Sequence, residues 1–213
     1  MAKTITLAEM LDRLPKPDRS KEIAYYTSLG RFIHRFAAVE SYLQLLLATL
    51  SGADSATAKA VYSGTRIDAA MSLIKRIFQA RGLEIPDHLS EAFSQLNTIN
   101  GARNDIVHFG AVFEDGMPKI VTNTRSAHIA KNVYAFPISA ELIDQMHEDL
   151  GTIMLRLIDV ESLPKNDQRL HDSVYAEVRQ RPWLYKHEQR GGSPQKSRAP
   201  DRKRKPQRPP SPA

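Results

Sequence analysis

Three polar side chains stand close together near the middle of the chain, in the stretch RNDIVHFG. Arg103, Asn104 and His108 can between them carry charge, donate several hydrogen bonds and exchange a proton. They fall where a helical pattern ends and a pattern typical of strands begins. Which helices and strands surround these three side chains therefore decides how close together they lie.

The helix that ends at His108 has one broad apolar face at about 100° per residue. This face contains Phe93, Leu96, Ile99, Ile106 and Val107. Arg103 lies within it, whereas Asn104 and His108 lie one turn apart along its edge. Because a buried unpaired charge is costly, Arg103 must pair with an acid, extend its head to water or reach a polar pocket.

An acid interrupts the apolar stripe of an earlier helix in the same way. That stripe consists of Leu29, Ile33, Phe36, Leu43 and Leu47, and Glu40 falls on it. We therefore predict that Glu40 lies near Arg103. Such a pair can simply fix helix register, and a histidine at a helix C-terminus often serves the helix dipole, so a purely structural interpretation stays open.

The remaining pattern predicts a mainly α fold: a bundle of four to five main helices, with a small β-meander inserted before the last long helix. The helices are expected over about 21–50, 55–62, 65–82, 86–108 and 139–160, and short strands near 111–113, 119–123 and 132–138. The predicted organisation is an N-terminal extension (1–20) with one short helix, a helical domain (21–162, meander about 110–138), a C-terminal extension (163–188) and a disordered tail (189–213). In the extension, Trp183, Leu184 and Tyr185 are expected to dock onto the bundle.

The positive charge is concentrated in the tail. The chain carries a formal net charge of +6, yet residues 190–213 hold eight Lys and Arg against one Asp, which leaves the rest at −1. Rich in Pro, Gly and Ser, this tail cannot offset its ordering entropy, so we expect disorder. Its cluster Arg202, Lys203, Arg204 and Lys205 is predicted to bind nucleic acid through phosphates. A solubilising tail and a protein-contact arm remain alternatives.

Several other function classes lack support in the sequence. No apolar run approaches the roughly 20 residues of a membrane-spanning helix, and there is no cysteine. No phosphate-loop, dinucleotide-binding or H-E-x-x-H pattern occurs, and Asp144-x-x-His147 is half of a bundle metal motif without its mate. We therefore expect a cytoplasmic protein with no cofactor, no metal and no membrane contact.

The spacing Arg103-Asn104-x-x-x-His108 at a helix end resembles the R-x-x-x-x-H signature of the HEPN superfamily (higher eukaryotes and prokaryotes nucleotide-binding domains). An asparagine after the arginine, a following glycine-containing turn (here Phe109-Gly110) and an acid on an early long helix (here Glu40) are also similar to the family pattern. The resemblance covers about residues 22–161. Gly110 stands where members modified by a partner nucleotidyltransferase carry tyrosine, so that partner is not expected.

The resemblance implies a metal-independent endoribonuclease that acts as a homodimer, with the two signature helices forming one cleft. His108 would be the general acid/base for attack of a ribose 2′-hydroxyl on the adjacent phosphate, a task for which histidine is the commonest residue type. Arg103 would hold the phosphate, Asn104 would orient the histidine or donate to the phosphate, and Glu40 would support Arg103. The implied products are a 2′,3′-cyclic phosphate and a 5′-hydroxyl.

The resemblance also implies alternatives to catalysis. Many members of the superfamily serve as catalytically silent dimeric modules that bind RNA or a protein partner. A toxin-like role in defence or stress, with an antitoxin as partner, fits the active form. A bundle that only oligomerises is the third interpretation.

Overall fold

The computed structural model of the protein describes residues 19–114, 116–124, 133–162 and 175–186. Its helices and strands are α1 (Ser20–Ser51), α2 (Ser55–Tyr62), α3 (Ile67–Ala80), α4 (Asp87–Phe109), β1 (Ala111–Glu114), β2 (Met117–Thr122), β3 (Ala135–Pro137) and α5 (Ala140–Ser162). A short helix over 175–180 opens the C-terminal segment, by which we mean residues 175–186. The predicted N-terminal helix and basic tail lie outside the described residues. The mainly helical fold with a small sheet is confirmed.

Local signals set the ends of the first helices. Gly52 follows α1 in the left-handed conformation (φ 72°), which a residue without a Cβ adopts at little cost. The carboxylate of Asp54 then caps α2 by accepting hydrogen bonds from the backbone N–H groups of Ala56 and Thr57, at 2.9 and 3.0 Å. The sequence predicted the bounds of α1 and α2 to within one residue, although α1 begins after Arg19 without a side-chain cap.

The core lies between α1 and α5, which pack along each other. Helix α3 packs against α1, and α4 packs against α5. Fully buried apolar side chains include Phe32, Val39, Leu43, Leu96, Ile99, Ile143, Leu150 and Leu157. Each contributes roughly 1.5–3 kcal/mol relative to an exposed side chain, so burial of these faces holds the bundle together.

The three strands form an antiparallel sheet in the order β1-β2-β3, with β2 packed against α1 and α4. Alternation along the strands gives the sheet two unlike faces. Val121 and Phe136 are buried on one face, and the cross-strand pair Val112 and Ile120 is exposed on the other. Strand β3 is shorter than predicted, although the backbone N–H of Ile138 still donates to the carbonyl of Lys119 (3.0 Å).

One predicted core position is wrong. Val107 was expected on the apolar face of α4, but its exposed fraction is 51%. Helical periodicity places a side chain around the helix axis and says nothing about where the neighbouring elements stop. Val107 belongs to the last turn, and no described element covers that side of it.

Candidate functional site

The last two turns of α4 bring Arg103 and Asn104 into direct contact. Arg103 Nη1 donates a hydrogen bond of 3.0 Å to Asn104 Oδ1. The guanidinium carbon of Arg103 lies 5.1 Å from the centroid of the Phe36 ring on α1, a cation–π arrangement. Both side chains are half-buried. The arginine head is therefore held against the bundle rather than extended into water.

Arg103 retains an unsatisfied donor. Its Nε is buried, and no described residue accepts a hydrogen bond from it. A buried donor without a partner costs about 1–3 kcal/mol, which is why such groups are uncommon in folded proteins. An anion cannot reach this buried Nε, so the terminal Nη groups of the half-buried head are the donors suited to bind one.

Arg103 and Glu40 do not form the predicted ion pair. Within the described part of the chain, no carboxylate oxygen of Glu40 comes within 4.0 Å of the guanidinium. The head lies over Phe36, one turn before Glu40 on α1. Because Glu40 is only half-buried, water can solvate its charge, so the costly desolvation of an ion pair is avoided.

His108 lies at the exposed end of the same helix. At about 100° per residue it is roughly 140° around α4 from Arg103, with Asn104 between them. Its ring is exposed, and the nearest aromatic neighbour is Phe109, with centroids 6.5 Å apart. Gly110 ends the helix at φ 68°, and its N–H donates to the carbonyl of Ile106 (2.9 Å). One copy of the chain therefore presents Arg103 and His108 on largely different sides of one helix end.

Sequence reasoning missed Asp105 and Tyr134, which fix this helix end to the sheet. The buried carboxylate of Asp105 accepts a 2.6 Å hydrogen bond from the Tyr134 hydroxyl. The Tyr134 ring also contacts Phe109 edge-on, with centroids 6.3 Å apart. No local signal could have revealed the hydrogen bond, because its two residues lie 29 positions apart.

A second polar cluster, also missed, surrounds Arg156 on α5, whose exposed fraction is 1%. Its guanidinium donates to the carbonyls of Val178 (3.1 Å), Arg181 (3.1 Å) and His88 (3.4 Å). It also reaches the carboxylate of Glu91 at 2.8 Å and lies 4.4 Å from the Trp183 ring centroid. Arg156 thus ties the C-terminal segment to α4 and α5.

Two buried aspartates of α5 extend the same attachment. Asp149 accepts hydrogen bonds from Gln95 Nε2 (2.8 Å) and from the backbone N–H groups of Leu184 and Tyr185 (both 2.9 Å). Asp159 is paired with Arg179 through two contacts of 2.6 and 2.7 Å. The predicted docking of the segment is confirmed for Trp183 and Tyr185, whereas the Leu184 side chain is exposed and only its backbone is bound.

His88 lies beside this cluster. Its Nε2 is 3.2 Å from Asp159 Oδ2, although the direction is not that of a hydrogen bond. Burial lowers the pKa of His88 below its usual value, and the nearby charge of Asp159 opposes this shift without reversing it. The neutral form of His88 is therefore favoured in the folded protein.

The predicted nucleic-acid-binding cluster of the tail lies outside the described residues. Its members are Arg202, Lys203, Arg204 and Lys205. In the ranges that the structure covers, no group of three or more His, Asp or Glu side chains could hold a metal ion. None of the helices in those ranges is both long and apolar enough to cross a bilayer. Comparison with family models, curated proteins and solved structures found no match to the chain.

Proposed function

We propose that the protein is a metal-independent endoribonuclease of the HEPN type, with Arg103, Asn104 and His108 at its active site. One observation carries the proposal: Arg103 and Asn104 are hydrogen-bonded to each other at 3.0 Å, and His108 is exposed one turn after Asn104 on the same helix. A fixed cation, an amide and an accessible histidine can supply the charge stabilisation and the proton transfer that cleavage of an RNA phosphodiester needs.

The chemistry assigns one task to each group. His108 takes the proton from a ribose 2′-hydroxyl, and the 2′-oxygen forms a bond to the adjacent phosphorus. Arg103 stabilises the charge that gathers on the phosphate oxygens. Because Asn104 Oδ1 accepts from Arg103, its Nδ2 is the donor left for a phosphate oxygen.

The bond between phosphorus and the 5′-oxygen then breaks, and that oxygen must receive a proton. In a homodimer, a protonated His108 of the second copy supplies it, which leaves a 2′,3′-cyclic phosphate and a 5′-hydroxyl. Because Arg103 and His108 point away from each other around α4, a cleft shared by two copies is favoured. Within one copy the two side chains point roughly 140° apart.

Exposed apolar side chains on the sheet and at the end of α4 support the homodimer. On the sheet they are the cross-strand pair Val112 (44% exposed) and Ile120 (37%), and in the last turn of α4 they are Val107 (51%) and Phe109 (37%). Single exposed apolar side chains are normal, but a group of them beside a candidate site often marks an interaction surface. A second copy seated there would exclude water from the cleft and strengthen the contacts of Arg103 with phosphate.

The direct test uses labelled single-stranded RNA in excess EDTA. We expect cleavage by the wild type, no cleavage by His108→Ala or Arg103→Met, and activity within about twofold of wild type for the exposed controls Gln79→Ala and Arg76→Gln. RNA with 2′-deoxyribose at the cut positions must resist, because the attacking hydroxyl is missing. Mass spectrometry identifies the cyclic phosphate.

The dimer is tested separately with Ile120→Glu, which places a charge on the exposed apolar surface. The variant should remain folded, sediment as a monomer and lose cleavage. Cleavage by a monomer would disprove the shared cleft. If neither the wild type nor any variant cuts RNA but the wild type binds it and releases it in salt, the silent binding module replaces the enzyme.

A further inference from the structure

A basic groove runs between α1 and α5, away from the end of α4. It encloses about 560 Å³ and is lined by Gly30, Arg31, His34, Arg35, Ala38, His147 and Met154. This volume is within the range of small-molecule sites. His34 and Ala38 lie roughly 160° around α1 from Phe36, the residue that contacts Arg103, so the groove and the candidate active site occupy different faces.

Positive charge dominates the groove. Two arginines and two histidines line it, and the acid at its edge is Asp144, 3.7 Å from Arg31. That contact is too long for a hydrogen bond and about half exposed, so it neutralises Arg31 only weakly. Arg35 makes no ion pair with any residue that the structure describes. At least one full positive charge is thus available to a ligand.

The head of Arg35 lies close to α5 at Gly151. A Cβ at position 151 would lie 3.3 Å from Arg35 Nη1, so the glycine leaves room for the guanidinium beside this helix. Arg35 is half-buried in this position. An arginine whose head is already placed loses less conformational entropy when it binds an anion than one that moves freely in water.

We infer that this groove binds a small anion that carries two or more phosphate groups. Forked guanidinium donors match phosphate oxygens, and Arg31 and Arg35 lie one turn apart on α1, so they can hold neighbouring phosphates. His34 adds a ring nitrogen on the α1 wall, whereas His147 Nδ1 already lies 3.3 Å from the backbone carbonyl of Arg31. The inference does not depend on the ribonuclease proposal, because the groove shares no residue with the end of α4.

The test is a calorimetric titration of inorganic diphosphate into the full-length protein, in a low-salt buffer that contains no phosphate. Wild type should bind saturably, and Arg35→Gln should weaken binding by about tenfold or more. Arg76→Gln, which removes the same charge from an exposed position on α3, should change the affinity by less than about twofold. His34→Gln is the second groove variant, in case Arg35→Gln does not fold by circular dichroism.

Each result decides the inference. The inference is supported if diphosphate binds saturably and the affinity falls in the groove variants but not in Arg76→Gln. It is overturned if the wild type binds neither diphosphate nor RNA. It is also overturned if the groove variants and Arg76→Gln lose affinity equally. A parallel titration with a short RNA identifies the source of the phosphates. If RNA binds through Arg35 and diphosphate does not, the ligand is an RNA backbone and the small-anion inference is wrong.

Discussion

Two arginines on core-facing sides of helices have opposite surroundings. Arg156 is almost fully buried, and its partners are three backbone carbonyls, one carboxylate and the ring of Trp183 in the C-terminal segment. Arg103, by contrast, has one ring, one amide and a buried Nε without a partner among the described residues. The difference separates a charge that holds the fold together from a charge that has capacity left for a ligand.

The two arginines also differ in which parts of the chain they connect. Arg156 joins segments that are far apart in the chain, because its carbonyl partners lie on α4 and in the C-terminal segment. Arg103 bonds to its own neighbour in sequence and touches one ring of α1. Loss of Arg156 should therefore act mainly on stability, and loss of Arg103 mainly on function.

The largest expected effect on stability belongs to Arg156→Met. It leaves buried carbonyls without donors, and we expect a loss of about 3–5 kcal/mol in the free energy of unfolding, measured by urea denaturation. Glu91→Gln is the matched comparison and should cost less than Arg156→Met, because the amide oxygen at this 59% exposed position can still accept from the guanidinium. An Arg156→Met protein as stable as wild type would show that the cluster does not hold the fold.

Tyr134→Phe should have the next largest effect. It removes the 2.6 Å hydrogen bond to the buried carboxylate of Asp105, which costs about 1–3 kcal/mol of stability. The ring contact with Phe109 remains, so the change isolates the hydroxyl. Thermal unfolding measures the loss, and Tyr62→Phe serves as a control for removing a tyrosine hydroxyl elsewhere. Equal effects in both variants would argue against a special role of the Asp105 contact.

These contacts show where prediction from sequence succeeds and fails. The bounds of α2 were predicted because caps and apolar periodicity are local, as Asp54 illustrates. The partners of Arg156 could not be predicted, because all of them lie 22 or more residues away and three are backbone carbonyls. At the candidate site, the placement of Arg103 toward α1 followed from periodicity, but the contact residue is Phe36 rather than Glu40. One helical turn is a finer distinction than periodicity can make.

The pH dependence of stability tests the region around Arg156 through the titration of His88. Burial lowers the pKa of His88 in the folded state, so the unfolded chain binds a proton more readily. Stability is therefore full above the usual histidine pKa of about 6.5 and falls as the pH drops below it, until the folded form also takes up a proton. Melting temperatures at pH values of about 7.5 and 5.5 should differ less in His88→Gln than in wild type. An unchanged difference would assign the pH dependence to other groups.

Arg103→Met should have the smallest effect on stability and a complete effect on function. The methionine keeps an apolar stem against Phe36. Loss of the cation–π contact lowers stability, whereas loss of the unpaired buried Nε raises it, so we expect a net change of less than about 1 kcal/mol in the free energy of unfolding. RNA cleavage should nevertheless disappear, because no other group replaces the guanidinium at the phosphate. The two measurements together are decisive: a stability loss as large as that of Arg156→Met would make Arg103 a second structural arginine. An unchanged fold with lost cleavage would assign the Arg103 guanidinium a role in binding or cleaving the RNA.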